Sequence, residues 1–172
     1  LKLFLKIRNL FQTKVINYFR NMNKEFRKAL IEACREKLID RLHVFEEAML
    51  RAQDFANEQE KSSAGDKYET SRAMAQLERE MNAAQAAEAR NELHFLMKID
   101  PALMSSNVIV GSIIETPRTL YFIGVGLNAI KVTGTDVITL SARAPLSKVL
   151  LGKQAGDVVH FNNIDIAITA VY

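Results

Sequence analysis

From Asn23 to Glu60, apolar residues recur at Phe26, Leu30, Cys34, Leu38, Leu42, Phe45, Met49, Ala52 and Ala56. Every step is three or four, so one stripe runs along a single helix. Between Lys67 and Lys98 the clearest stripe is Met74, Leu77, Met81 and Ala84, at the three-four spacing of a heptad seam. It blurs beyond, where Glu88 and Asn91 fall on the expected positions. Small Ala residues on such a seam let two helices approach closely. Between the helices, Lys61-Ser62-Ser63-Ala64-Gly65-Asp66 supplies a turn, and Asp66 with Glu69 reads as a capping box for the second helix. The pattern predicts an antiparallel helical hairpin over 23–100 with its tip at 61–66. Helices of about 35 residues would make a rod roughly 50 Å long, too thin to enclose a substrate pocket.

After Pro101 the period changes. Short runs rich in Val, Ile, Thr, Phe and Tyr occupy Asn107–Ile114, Thr119–Val125, Ala129–Val132, Asp136–Leu140, Val158–Phe161 and Ile164–Val171. Turn residues separate them at Thr116-Pro117, Gly124/Gly126, Gly134 and Asn162-Asn163. Pro145–Leu151 reads as a short helix, with Pro in its first turn and Gly152 at its end. The expected class is α+β: a hairpin of helices, then a small antiparallel sheet domain over 105–172 with one short helix.

Composition sharpens this division. All three prolines and six of the seven glycines lie beyond residue 100, the exception being Gly65. Gly and Pro are the residues that cost a helix most, so their near absence from the first hundred positions supports the helical reading. Charge adds a third segment. Residues 1–21 carry five bases and no acid, residues 22–104 carry 13 bases and 16 acids, and residues 105–172 carry five bases and four acids. The net charge of +3 therefore stems from the N-terminal 1–22 stretch, and the body is not basic enough to bind nucleic acid through its overall field. That stretch has no apolar run long enough for a membrane span or a secretory signal. It reads either as an extension outside the folded unit, with Met22 as a natural start, or as a basic amphipathic helix serving as a membrane-surface anchor or presequence. A single cysteine, Cys34, excludes a disulfide framework and gives no sign of an oxidising compartment, which leaves a cytoplasmic protein as the expectation.

Candidate chemistry is sparse. His43, His94 and His160 fall on three different elements without metal-ligand spacing. Cys34 lies on the apolar stripe, where a thiol acts as a small hydrophobe. Gly124-Val125-Gly126 lacks the third glycine of a dinucleotide loop, and Gly152-Lys153 has no glycine-rich loop before it. Nothing here reads as a self-contained enzyme. Carboxylates at the tip, Glu58, Glu60, Asp66 and Glu69, have the hard oxygens that Mg²⁺ prefers, although Lys61 and Lys67 sit among them and helix capping accounts for Asp66 and Glu69 equally.

One stretch is more specific. Ala144-Pro145-Leu146-Ser147-Lys148-Val149-Leu150-Leu151-Gly152-Lys153-Gln154-Ala155-Gly156-Asp157-Val158-Val159 resembles the SPLGxALLGKxxGD signature of the Gre-type transcription elongation factors. The tip, Ala64-Gly65-Asp66-Lys67-Tyr68-Glu69, resembles a variant of that family's DLxENAEY tip and looks like the tips of Gre-like proteins from Bacteroidetes-type bacteria. The resemblance covers roughly residues 23–172. It implies an FKBP-like C-terminal domain that docks on bacterial RNA polymerase, placing Pro145, Leu146, Leu150, Leu151, Gly152, Lys153, Gly156 and Asp157 at the docking site. The coiled coil would enter the polymerase's secondary channel, so nucleic acid would be met only within the transcription complex. Tip carboxylates in the family help hold the second catalytic Mg²⁺ of the polymerase. Here that implies Asp66, with Glu60 or Glu69, and no cofactor of the chain's own.

The tip departs from the family pattern. Aligned on Tyr68, the family's Asp falls on Lys61, its first Glu on Ala64 and the Glu before the Tyr on Lys67. In the signature itself, Ser is replaced by Ala144 and the first Gly by Ser147. The resemblance thus implies docking more than stimulation of RNA cleavage, in a monomeric regulator that is not itself an enzyme. Two alternatives remain: an FKBP-like peptidyl-prolyl isomerase, whose pocket needs converging aromatics, and a non-enzymatic coiled-coil adaptor.

Overall fold

The computed structural model describes the backbone of residues 2–60, 66–102 and 104–172, and the side chains of 24–58, 69–102 and 104–172. The element order is α1 (Lys2–Glu60), α2 (Asp66–Leu96), β1 (Ile113–Glu115), β2 (Leu120–Gly124), β3 (Asn128–Val132), β4 (Thr135–Ser141), α3 (Pro145–Leu150), β5 (Val158–Phe161), β6 (Ile164–Ala167) and β7 (Ala170–Val171). The architecture is α+β, two long helices followed by a small, mostly antiparallel sheet domain. The backbone of the expected N-terminal extension is helical from Lys2, as part of α1. Its side chains lie outside the described residues, as does the tip turn 61–65.

The chain divides into two compact units, one of residues 1–34 with 99–172 and one of residues 35–98. In the second, α1 and α2 run antiparallel. Arg41 Nη1 lies 3.6 Å from Glu92 Oε2, Arg90 Nη2 2.5 Å from Glu46 Oε1, and Arg79 Nη1 donates to Gln53 Oε1 at 2.5 Å, so partners rise along one helix as they fall along the other. On α1 the expected stripe faces inward: Leu38 is fully buried, Ala52 is buried, and Leu42, Phe45, Met49 and Ala56 are half-buried.

On α2 the expected stripe is wrong. Met74, Leu77 and Met81 are 61%, 50% and 63% exposed. The inward face is Ala75, Ala86, Ala89 and Leu96, with Asn82 and Leu93 half-buried among them. These positions also follow heptad spacing, one to two residues out of phase with the larger side chains at the start of the helix. Size explains the outcome. Alanines let the backbones come close, and cross-helix Arg–Glu pairs bracket the seam, so the bulky residues are left facing solvent.

In the other unit, five strands form a sheet in the order β3-β4-β2-β1-β7, and β5 and β6 form a separate two-stranded hairpin. The expectation of one wholly antiparallel sheet fails at one pairing. β2 and β4 are parallel, from Leu120 opposite Val137 to Gly124 opposite Ser141. β3 does not pair with β2 but lies outside β4, so the returning strand inserts between them. The two tight hairpins use residues at positive φ, Thr133 (48°) and Gly134 (86°) between β3 and β4, Asn162 (51°) and Asn163 (62°) between β5 and β6. Two central residues at positive φ make a turn whose twist matches the strands it joins.

As the middle strand, β2 is covered on both faces, and Phe122 and Ile123 are each fully buried. Ile123 joins Val108, Ile114, Leu150, Val159 and Ile168 in the main core. On Phe122's side, Ile99 sits against two glycines. A Cβ on Gly111 would lie 2.7 Å from Ile99 Cγ2, and one on Gly124 would lie 2.6 Å from the Phe122 ring. The same unit holds Arg27, which is buried and donates from Nη1 to the Pro101 carbonyl at 3.4 Å. Burial lowers the guanidinium pKa, and the charge of Asp100 opposes that shift.

Candidate docking surface on the sheet domain

The signature stretch begins where β4 ends. Ser141 turns the chain, its carbonyl accepting from Ala144 N at 2.9 Å and from Ser147 Oγ at 2.7 Å. Pro145, at φ suited to a first helical turn, then opens α3. Helical spacing sends Ser147 and Leu150 into the core, leaves Leu146, Val149 and Leu151 half-buried, and turns Pro145 and Lys148 outward. Ser147 replaces the glycine of the family pattern, and its hydroxyl is satisfied by the Ser141 carbonyl, which makes a buried polar group acceptable there.

Beyond α3 the backbone is pinned from both sides. Gly152 N donates to Val108 O at 2.8 Å, and Val108 N to Lys153 O at 2.7 Å. Asn107 bridges Gln154. Asp157 Oδ2 accepts from Gln154 N at 2.9 Å, closing the turn, and Gly156 N donates to Ile168 O at 2.8 Å. Gly152 and Gly156 have φ of 79° and 95°, a region that L side chains rarely adopt.

The eight expected docking residues therefore divide by role. Leu150 is core, and Leu146 and Leu151 pack against that core. Gly152, Gly156 and Asp157 shape the turn. Only Pro145 and Lys153 present side chains outward. The exposed charged groups here that the signature does not mark are Arg143 and Lys148. A charge signal was available in the sequence: residues 137–156 contain three bases, Arg143, Lys148 and Lys153, and no acid.

Among the described residues the other candidates are not brought together. Glu69 is exposed on the first turns of α2, while the side chains of Glu60 and Asp66 lie outside the described residues. Among the described residues no group of three or more His, Cys, Asp or Glu comes together. Burial pushes the Cys34 thiol up to about 12, so it is not a nucleophile near neutral pH. His160 Nδ1 lies 2.7 Å from Asp165 Oδ1 across the exposed β5–β6 register, and His43 Nδ1 3.9 Å from Glu46 Oε2.

Among the described residues Phe26 and Tyr172 line one cavity, and Tyr121, Phe122 and Phe161 do not join them. Phe122 is buried in the sheet, and its neighbour Tyr121 packs on the main core. A cavity of about 600 Å³ is lined by Phe26, Ile113, Leu120, Arg118, Asp136 and Tyr172, among others, without Tyr121, Phe122 or Phe161. At its wall the Tyr172 hydroxyl donates to Glu115 Oε2 at 2.6 Å. That bond, with burial and the carboxylate's charge, pushes the Tyr172 pKa up to about 12.

No helix among the described residues is long and apolar enough to cross a membrane. No family model and no curated protein matches the chain. Among solved structures it is similar to the transcription factor Gfh1, at 18% identity over 80% of this chain and 92% of that one, with a TM-score of 0.34.

Proposed function

We propose that this chain is a Gre-type regulator of transcription that binds bacterial RNA polymerase. In this reading the sheet domain, with its FKBP-like arrangement, docks outside the secondary channel while the antiparallel helices enter it. The observation that carries the reading is the stretch 144–159. Its sequence resembles the family signature, and four of its residues shape α3 and the loop after it: Leu150 in the core, Gly152 and Gly156 at positive φ, Asp157 closing the loop. The chain contributes no catalytic group and no cofactor, and works as a cytoplasmic monomer on the polymerase. Chemistry at the channel belongs to the polymerase and its Mg²⁺. Lys61 and Lys67 beside Asp66 oppose cation binding, so cleavage of backtracked RNA is stimulated weakly or not at all. The test is incubation of the full chain with purified bacterial RNA polymerase, followed by gel filtration, and with a backtracked elongation complex. Comigration with little RNA cleavage is expected. Failure to comigrate would refute the assignment, and strong cleavage abolished by Asp66→Asn would show that one carboxylate suffices.

A further inference from the structure

Along the chain through α3, from residue 137 to 156, the charges are all of one sign. Arg143 lies in the turn before the helix, Lys148 on its outer face and Lys153 three residues past its end, and all three are exposed. Neither ion pairs nor side-chain hydrogen bonds engage them among the described residues. The nearest acid along the chain, Asp157, is half-buried with its Oδ2 accepting from Gln154 N. The other two bases of 105–172, Arg118 and Lys131, stand on different elements: the β1–β2 turn and the edge strand β3.

The mount is rigid. Lys153 sits in a loop whose backbone bonds to Val108 on one side and Ile168 on the other, and α3 is held by the buried Ser147 and Leu150. A charge on a preorganised backbone loses little freedom when it meets its partner, so more of its interaction is kept as affinity. Three bases are too few for tight non-specific nucleic-acid binding, where a protein typically neutralises about 6–10 phosphates. They suit a compact acidic patch on a folded protein. Lys148, in the last turn of a six-residue helix, also faces that helix's carbonyl end, but Arg143 and Lys153 have no such role.

We infer that Arg143, Lys148 and Lys153 form the electrostatic half of the docking surface and meet an acidic surface patch of the polymerase. This rests on the proposed function and adds the chemistry of its contact. Pro145 sits among the bases as the apolar part of the same surface, while the leucines and glycines of the signature act from beneath by shaping it.

The test is the affinity of the full chain for purified bacterial RNA polymerase, measured at two salt concentrations. The double variant Lys148→Glu/Lys153→Glu should bind about tenfold more weakly or worse, and wild-type affinity should fall with salt. Lys131→Glu, an equal change of sign on β3, should stay within about twofold. Thermal melting reports whether each variant folds. If the Glu pair lowers the melting temperature, Lys148→Gln/Lys153→Gln is used instead, with a loss of about fivefold expected. Wild-type affinity in the double variant overturns the inference while leaving the proposed function standing, and so does equal weakening by Lys131→Glu. Binding to free duplex DNA or RNA that the same reversals abolish would reassign the bases to nucleic acid. No polymerase binding by wild type would instead refute the proposed function itself.

Discussion

In the sheet unit the sealed residues are large: Phe122, Ile123, Leu150 and Ile168 are at most 2% exposed. In the hairpin unit large side chains are sealed at one end, by Leu38 and Leu96, and along the rest of α2 the buried residues are Ala75, Ala86 and Ala89, while Met74, Leu77 and Met81 stay at least half exposed. Each fully buried large aliphatic or aromatic side chain contributes about 1.5–3 kcal/mol by transfer from water, and an alanine methyl far less. The sheet unit is thus held by apolar burial. The hairpin relies more on close backbone approach, helical hydrogen bonding and cross-helix pairs such as Arg90–Glu46. The proposed function uses this difference, with the sheet domain as a fixed surface and the hairpin as reach.

The sharpest way to break that contrast is to remove volume from the sheet core. Leu150→Ala deletes a fully buried side chain that links α3 to the sheet core. It should cost about 2–5 kcal/mol and lower the unfolding midpoint in denaturant. Because α3 carries Lys148 and stands between Arg143 and Lys153, the proposed function predicts that it also weakens polymerase binding. A loss under about 1 kcal/mol would mean that α3 is not anchored by its core face.

Adding volume to the alanine seam comes next. Ala86 is fully buried in the hairpin, so Ala86→Leu must push the helices apart. Overpacking of this kind costs about 1–3 kcal/mol, read as a lower melting temperature of the full chain. Were the seam instead formed by Met74, Leu77 and Met81, Ala86→Leu would be neutral or stabilising.

Much of the sheet domain was legible because its signals are local. Turn residues at Gly134 and Asn162-Asn163 and β-branched runs between them marked β2 to β5 closely, whereas the expected strand Ile164–Val171 is two, β6 pairing with β5 and β7 crossing to the five-stranded sheet. The parallel β2–β4 pairing was not legible, because no residue pattern states that β4 returns between β2 and β3. On α1 the stripe was read correctly because from Phe26 to Met49 all of it but Cys34 is both apolar and large. On α2 it was misread for the converse reason: alanine is common, so a buried Ala stripe does not stand out beside exposed methionines. The signature stretch was found from sequence, but the roles within it were not. Whether Leu150 or Lys148 faces outward depends on the direction in which α3 packs, which only the fold determines.

The smallest expected effect is the most diagnostic for the hairpin. Leu77 and Met81 lie on the outer face of α2, beside Phe55 in an open groove, and by their size they should dominate any seam they belonged to. Gln has nearly the helix propensity of Leu and Met, so Leu77→Gln and Met81→Gln test burial with little change in backbone preference. If the inner face is Ala75, Ala86 and Ala89, each substitution should shift stability by no more than about 0.5 kcal/mol, as for ordinary surface positions. If the methionine stripe were the true seam, each would place an amide in an apolar interface and cost well over 1 kcal/mol. The measurement is denaturant unfolding of the full chain at dilute and at high protein concentration. A variant that is neutral at both leaves the alanine seam in place. One that destabilises equally at both would return the seam to the larger side chains and remove the contrast between the two units.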